Sequence, residues 1–204
     1  MSSRPAATDA ARRGAVVALP NVLTLFRIGL VPVLVVALMM ATPPARIFAA
    51  GCFFVACVTD FFDGWLARRH GITTALGQML DPLADKLLVT AALIMLAAVP
   101  PDPRVPAWMV VVIVLREFAV TGLRGLASTS GVAVPAQELG KYKMIAQMFA
   151  LEGLLLHYRY PIPGTSMAID FHAGGMVLLW WALILAVWSA VDYHVRILRQ
   201  IRLD

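Results

Sequence analysis

An all-α protein that crosses a membrane six times is the architecture the sequence predicts, with the helices set around a polar cavity that faces the cytoplasm. Three observations carry it. Of the 204 residues, 60% are hydrophobic and only 14% charged, too apolar a balance for an ordinary soluble domain. The apolar residues gather into six stretches, each long enough to span as a helix. The basic residues in the gaps between them favour one side of the membrane.

The stretches fall at about 22–42, 47–67, 83–100, 106–126, 140–157 and 174–194. Breaks bearing Pro or Gly separate them: "TPPAR", "RRHGITT", "VPPDPRVP", "STSGVAVPAQELG" and "YRYPIPGTSMAIDFHAGG". No break is long enough for a second domain, and neither a fixed-period repeat nor a low-complexity tract is present. Residues 20–204 are therefore expected to form one transmembrane domain behind a basic cytoplasmic tail at residues 1–19. That tail opens "MSSRPAATDAARRGAV" and lacks the compact apolar core and cleavage site of a signal peptide.

With the N-terminus in the cytoplasm and six crossings, the cytoplasmic side collects Arg4, Arg12, Arg13, Arg68, Arg69, Arg124, Lys141, Lys143, Arg196, Arg199 and Arg202. The opposite side receives Arg46, Arg104 and Arg159. This asymmetry satisfies the positive-inside rule with both termini cytoplasmic, and the cytoplasmic (inner) membrane is the expected location. The net charge of +5 suits an anionic leaflet, and no nucleic-acid partner is expected. Cys52 and Cys57 share one helix and suggest neither a disulfide nor a metal motif. The histidines show no zinc spacing. Trp180, Trp181 and Trp188 read as interface anchors or lipid-facing packing.

Within this apolar setting, "TDFFDGWLARRHGITTALGQMLDPLADK" brings four aspartates to the cytoplasmic ends of the second and third spans. Asp60 and Asp63 are neighbours on one helix face, and Gly64 and Ala67 continue that face with almost no side-chain bulk. On the next helix Gly77, Asp81 and Asp85 recur every fourth residue, again on one face. Pro82 is tolerated if it lies in the first turn of that helix. Taken singly, Asp81 before Pro82 also suits a helix N-cap, and Asp60 or Asp63 suits an ion pair with Arg68 or Arg69. Taken together, four like charges on two neighbouring helices repel unless something cationic joins them. Carboxylate oxygens are hard ligands suited to two divalent cations, Mg2+ or Mn2+, and paired metals serve phosphoryl or phosphodiester chemistry.

The pattern Asp60-x-x-Asp63-Gly64-x-x-Ala67-Arg68, eight residues, Gly77-x-x-x-Asp81-x-x-x-Asp85 resembles, position for position, the signature of the CDP-alcohol phosphotransferases. The resemblance implies six transmembrane helices, usually as a homodimer in membrane lipid, and transfer of a substituted phosphate from a CDP-linked donor to an alcohol. It implies that Asp60, Asp63 and Asp81 bind the metal pair with a contribution from Asp85, which is also the general base. Gly64, Ala67 and Gly77, with Asp60 beside them, make room for the cytidine, and Arg68 faces the diphosphate. Two further stretches, "PNVLTLFRIGLVP" and "REFAVTGLRGLASTSGVAVPAQELGKYKMIAQM", resemble one branch of that family. That branch joins CDP-diacylglycerol to sn-glycerol 3-phosphate and releases CMP. The chain departs from the branch at Met144, where Thr is usual.

The remaining basic residues support a phosphorylated acceptor on their own chemistry. Arg116 lies well inside the fourth span, where a cation is costly unless paired or facing water; an ion pair with Glu152, or with another intramembrane acid, is its structural alternative. Arg124 lies near the same face, and Lys141 and Lys143 open the fifth span, from which they also reach lipid phosphates. Together the four suit an acceptor-phosphate pocket. Glu117, about 100° round the helix from Arg116, suits the orienting of a neighbour better than the binding of an anion. Asn21, Thr24 and Arg27 open the first span as supporting residues, Asn21 as a cap and Arg27 toward the donor phosphates. Rival readings are another acceptor, inositol phosphate or phosphatidylglycerol, and a divalent-cation transporter, which leaves the Gly64–Ala67–Gly77 shelf unexplained.

Overall fold

The computed structural model describes the backbone of residues 6–40, 42–70, 75–98, 104–129, 138–161, 164 and 168–201. Side chains are described over the same residues except 6–21, 63–70, 75–82, 126–129, 138–139, 141 and 198–201. Six helices account for nearly all of it: α1 (Ala6–Met39), α2 (Pro43–His70), α3 (Ala75–Ala98), α4 (Ala107–Thr129), α5 (Glu138–Leu156) and α6 (Phe171–Ile201). A short antiparallel hairpin, β1 (Arg159–Pro161) and β2 (Ala168–Asp170), joins α5 to α6. Each of the six apolar stretches coincides with a helix. Among the described residues, Val22–Met39, Pro43–Phe62 and Phe171–Ile197 are long and apolar enough to cross a membrane. The protein is an all-α membrane protein.

Two helices begin earlier than their apolar stretches suggest. α1 starts at Ala6, so the segment read as a tail is helical from there and Asn21 lies in mid-helix, not at a cap. α3 starts at Ala75, which places Asp81 and Pro82 inside the helix instead of at its first turn. The N-cap reading of Asp81 is thereby removed. Pro82 cannot donate the helical hydrogen bond to the carbonyl four residues back. The apolar run marks what lipid or core requires; α1 continues past its run through Gly14 and Pro20, and α3 through Gly77 and Pro82.

The chain forms two compact units, Met1–Ala91 and Ala92–Asp204, with the division inside α3. In the first, α1 packs along α2. Thr24, Arg27, Leu34 and Leu38 form the buried stripe of α1, and Ala49, Ala50, Phe53 and Ala56 that of α2. The spacing of both stripes is that of one helix face. Small residues on α2 let the two backbones approach.

In the second unit α5 and α6 pack most closely. A Cβ at Gly175 would stand 2.9 Å from the backbone nitrogen of Leu154 and 3.0 Å from the carbonyl oxygen of Ala150. At Gly153 it would stand 3.0 Å from the carbonyl oxygen of Phe171. Small residues at such a crossing are the usual means by which membrane helices gain van der Waals contact. Gly175→Val is expected to lower the detergent-solubilised protein's stability by about 1–3 kcal/mol through overpacking. An unchanged melting temperature would contradict so tight a crossing.

α4 packs on α6 in register along its length. Trp108 meets Trp180 with ring centroids 5.6 Å apart, Arg116 meets Ala186, and the Arg124 guanidinium lies 5.7 Å from the Tyr193 ring. Residue numbers rise together on both helices, so α4 and α6 run parallel, as alternating crossings require of helices separated by one other.

Two of the three basic residues assigned to the far side serve this unit's structure. Arg104, 3% exposed, donates to the carbonyls of Leu154 (3.0 Å) and Leu155 (3.1 Å) and so caps the C-terminus of α5. Arg159 donates to Asp170 across the hairpin at 2.8 Å. Asp170 also accepts the backbone N–H of Ala173 at 2.9 Å, as an N-cap of α6. That backbone bond, then the Arg159 bond, holds its carboxyl below the usual range.

Candidate active site

In the first unit, Arg27 reaches from α1 to α2. Its Nη1 lies 2.7 Å from Oδ1 of Asp60, with the arginine side chain 1% exposed and the aspartate 27%. A guanidinium persists at such depth because an anion answers it. The pair sets the Asp60 carboxyl of α2 against a buried cation of α1. Asp60 has further interactions besides this one. Thr24, fully buried one turn before Arg27, shares its face.

α2 continues unbroken through His70, so Asp60, Asp63, Gly64 and Ala67 keep the three, four and seven spacing that puts these positions on one face. α3 does the same for Gly77, Asp81 and Asp85. The side chains of Asp63, Gly64, Ala67, Arg68, Gly77 and Asp81 lie outside the described residues. Asp85 is half-buried on α3, one residue past the fully buried Ala84. Among the described residues no three His, Cys, Asp or Glu side chains group closely enough to hold one ion; Asp63 and Asp81 are not among them.

In the second unit Arg116 and Lys143 are joined through Glu117. Arg116 Nε donates to the carbonyl of Ala186 at 2.9 Å, and its Nη2 donates to the Ser189 hydroxyl. Its Nη1 donates to Oε1 of Glu117 at 2.9 Å, and the Lys143 ammonium donates to that same oxygen. Arg116 thus pairs with its neighbour Glu117, not with Glu152. α4 turns Glu117 toward α5, where Lys143 lies buried. Arg124 is exposed and lies over the face of Tyr193, a cation–π contact. The Lys141 side chain is outside the described residues, and Met144 is exposed on α5.

Two participants carry little signal in the sequence. Ser189 lies in the apolar run of α6, and Tyr193 follows one turn later. Only the register of α6 on α4 brings them to Arg116 and Arg124. The Arg27–Asp60 pair joins residues far apart in the chain; the cue was an arginine within an apolar stretch, which demands a partner without naming it.

Long apolar helices, a two-helix aspartate pattern and a buried basic cluster are the features of a membrane-embedded transferase. The model of the family described as CDP-alcohol phosphatidyltransferase matches residues 17–188, and the chain belongs to that family. Among curated relatives, the chain is 40% identical over 187 residues to the CDP-diacylglycerol–glycerol-3-phosphate 3-phosphatidyltransferase of Bacillus subtilis, covering 86% of this chain and 92% of the relative. It is 39% identical over 175 residues to the protein of the same description from Rickettsia bellii, with 86% and 92% covered. A probable phosphatidylglycerophosphate synthase of Mycobacterium tuberculosis is 37% identical over 204 residues, with 98% and 91% covered.

Proposed function

We propose that the chain transfers the phosphatidyl group of CDP-diacylglycerol to sn-glycerol 3-phosphate, giving phosphatidylglycerophosphate and CMP. The observation that carries this reading is the aspartate–glycine pattern laid along two continuous helices, in a chain similar over most of its length to relatives of that description. The acceptor's primary hydroxyl attacks the phosphorus that bears diacylglycerol. The bond from that phosphorus to the bridging oxygen breaks, and CMP leaves with the electron pair.

The residues fit a divalent-metal centre. Asp60, already answered by a cation, supplies hard oxygen donors, and Asp63, Asp81 and Asp85 follow at helical spacing. Two Mg2+ or Mn2+ ions would offset the carboxylate charge and polarise the donor's diphosphate. Arg27 fixes Asp60 from α1, with Thr24 and Asn21 on the same helix as support. Gly64, Ala67 and Gly77 leave a shelf on which the cytidine lies against backbone, and Arg68 faces the diphosphate. Asp85 takes the proton of the acceptor hydroxyl. Arg116, Arg124, Lys141 and Lys143 hold the acceptor's phosphate.

Six crossings place both termini and the aspartates on the cytoplasmic side of the inner membrane, in one domain over residues 20–204 that functions as a homodimer. The parallel run of α4 and α6 supports alternating crossings. α4 and α5 carry Arg116, Glu117, Lys143 and Glu152 within their apolar runs; the first three are joined through Glu117, as polar groups inside a membrane pair with one another.

Purified protein in lipid nanodiscs, given CDP-diacylglycerol and Mg2+, tests the acceptor. CMP release with glycerol 3-phosphate, and little with inositol phosphate or phosphatidylglycerol, is the expected result. Faster turnover with either of the others would replace the acceptor. The phosphate pocket is tested through Arg124→Lys, which keeps the charge but loses the planar fork. Its KM for glycerol 3-phosphate should fall between wild type and Arg124→Ala, with donor KM nearly unchanged. Wild-type acceptor KM in both variants would remove Arg124 from the pocket.

A further inference from the structure

We propose that Glu117 is a positioning residue for acceptor binding: one of its carboxylate oxygens fixes the Arg116 guanidinium and the Lys143 ammonium together, so that both present to an incoming phosphate. The inference rests on the reading of Arg116 and Lys143 as phosphate-binding residues. Its geometry is specific. Oε1 of Glu117 accepts from Arg116 Nη1 at 2.9 Å and from Lys143 Nζ, so one atom ties a cation of α4 to a cation of α5.

The other face of Arg116 is fastened to α6, through the Ala186 carbonyl and the Ser189 hydroxyl. Three of the five guanidinium N–H groups are thereby used to aim the group; the other two have no partner among the described residues. All three charged side chains are substantially buried, at 11% exposure for Arg116, 20% for Glu117 and 9% for Lys143. Together they carry one surplus positive charge, the sign a phosphate needs. Without the acid, two cations would face each other within a few ångströms and move apart. Glu117 supplies order at the cost of one unit of charge.

Glu117→Gln keeps the shape and loses the charge. The expected effect is a rise in KM for glycerol 3-phosphate of about tenfold or more, the usual scale for losing a charge-assisted contact, with kcat and donor KM nearly unchanged. Glu117→Asp retains the charge with a shorter reach and should fall between. In a Lys143→Met background the Gln substitution should have a clearly smaller effect on acceptor KM, because the acid acts partly through that lysine.

Melting temperatures accompany the kinetics. A lower melting temperature with wild-type acceptor KM would make Glu117 structural only and overturn the proposal, as would fully multiplicative effects in the double variant. If Glu117→Gln fails to fold, Glu117→Asp decides alone: a raised acceptor KM supports the role and a wild-type value overturns it. Should Arg116→Lys and Lys143→Met themselves leave acceptor KM unchanged, the pocket lies elsewhere and both readings fall. Should those two raise it while the Glu117 variants do not, only the role of Glu117 falls.

Discussion

Asp81→Ala is expected to reduce turnover to background and to weaken divalent-cation binding in calorimetric titration, while the protein still folds. The carboxylate is one of four that hold the metal pair in the proposed centre, and an alanine offers no oxygen in its place. Asp60→Ala should lose activity to the same extent but with an added cost. It removes from Arg27, 1% exposed, the carboxylate 2.7 Å away, though Arg27 has a further interaction. Removing one partner of a buried ion pair typically costs about 3–5 kcal/mol, and the partial exposure of Asp60 brings the figure toward the lower end or below it. Melting temperature therefore separates the two variants: Asp81→Ala near wild type, Asp60→Ala clearly lower. Unaltered metal binding with lost activity in Asp81→Ala would contradict its role as a ligand.

Asp85→Asn has the next largest expected effect. The amide keeps an oxygen for a metal but cannot take the proton of the acceptor hydroxyl. Losing general-base assistance typically lowers the rate by about 10²–10⁴-fold. Donor binding, measured by titration with a CDP-lipid, should survive far better than turnover. Comparable losses in donor affinity and rate would reduce Asp85 to a metal ligand.

The helices were legible because lipid imposes long apolar runs, and each run falls on a helix. Their starts were not, because the helices run on past their apolar runs, α1 through Gly14 and Pro20 and α3 through Gly77, residues that read as breaks when taken alone. The aspartate pattern was legible for a related reason: helical spacing is local, and a carboxylate at the end of an apolar run is conspicuous. Partnerships between helices were harder. Arg116 is next to Glu117 in the chain and pairs with it, yet the sequence pointed to Glu152 or another intramembrane acid. What decides is the register of α6, whose Ala186 and Ser189 take two guanidinium nitrogens and leave the third for Glu117. Arg27 likewise announced a need for an anion, and only the packing of α1 on α2 identifies Asp60 as the group that meets it.

The central claim, transfer of the phosphatidyl group to the acceptor's hydroxyl, is tested most directly by following one oxygen atom. Glycerol 3-phosphate carrying heavy oxygen in its primary hydroxyl is incubated with CDP-diacylglycerol and the purified protein, and the products are weighed by mass spectrometry. The expected result is heavy oxygen retained in the new phosphodiester of phosphatidylglycerophosphate, with unlabelled CMP. Heavy oxygen in a water-soluble nucleotide product, with phosphatidic acid left behind, would place the attack on the other phosphorus and contradict the claim.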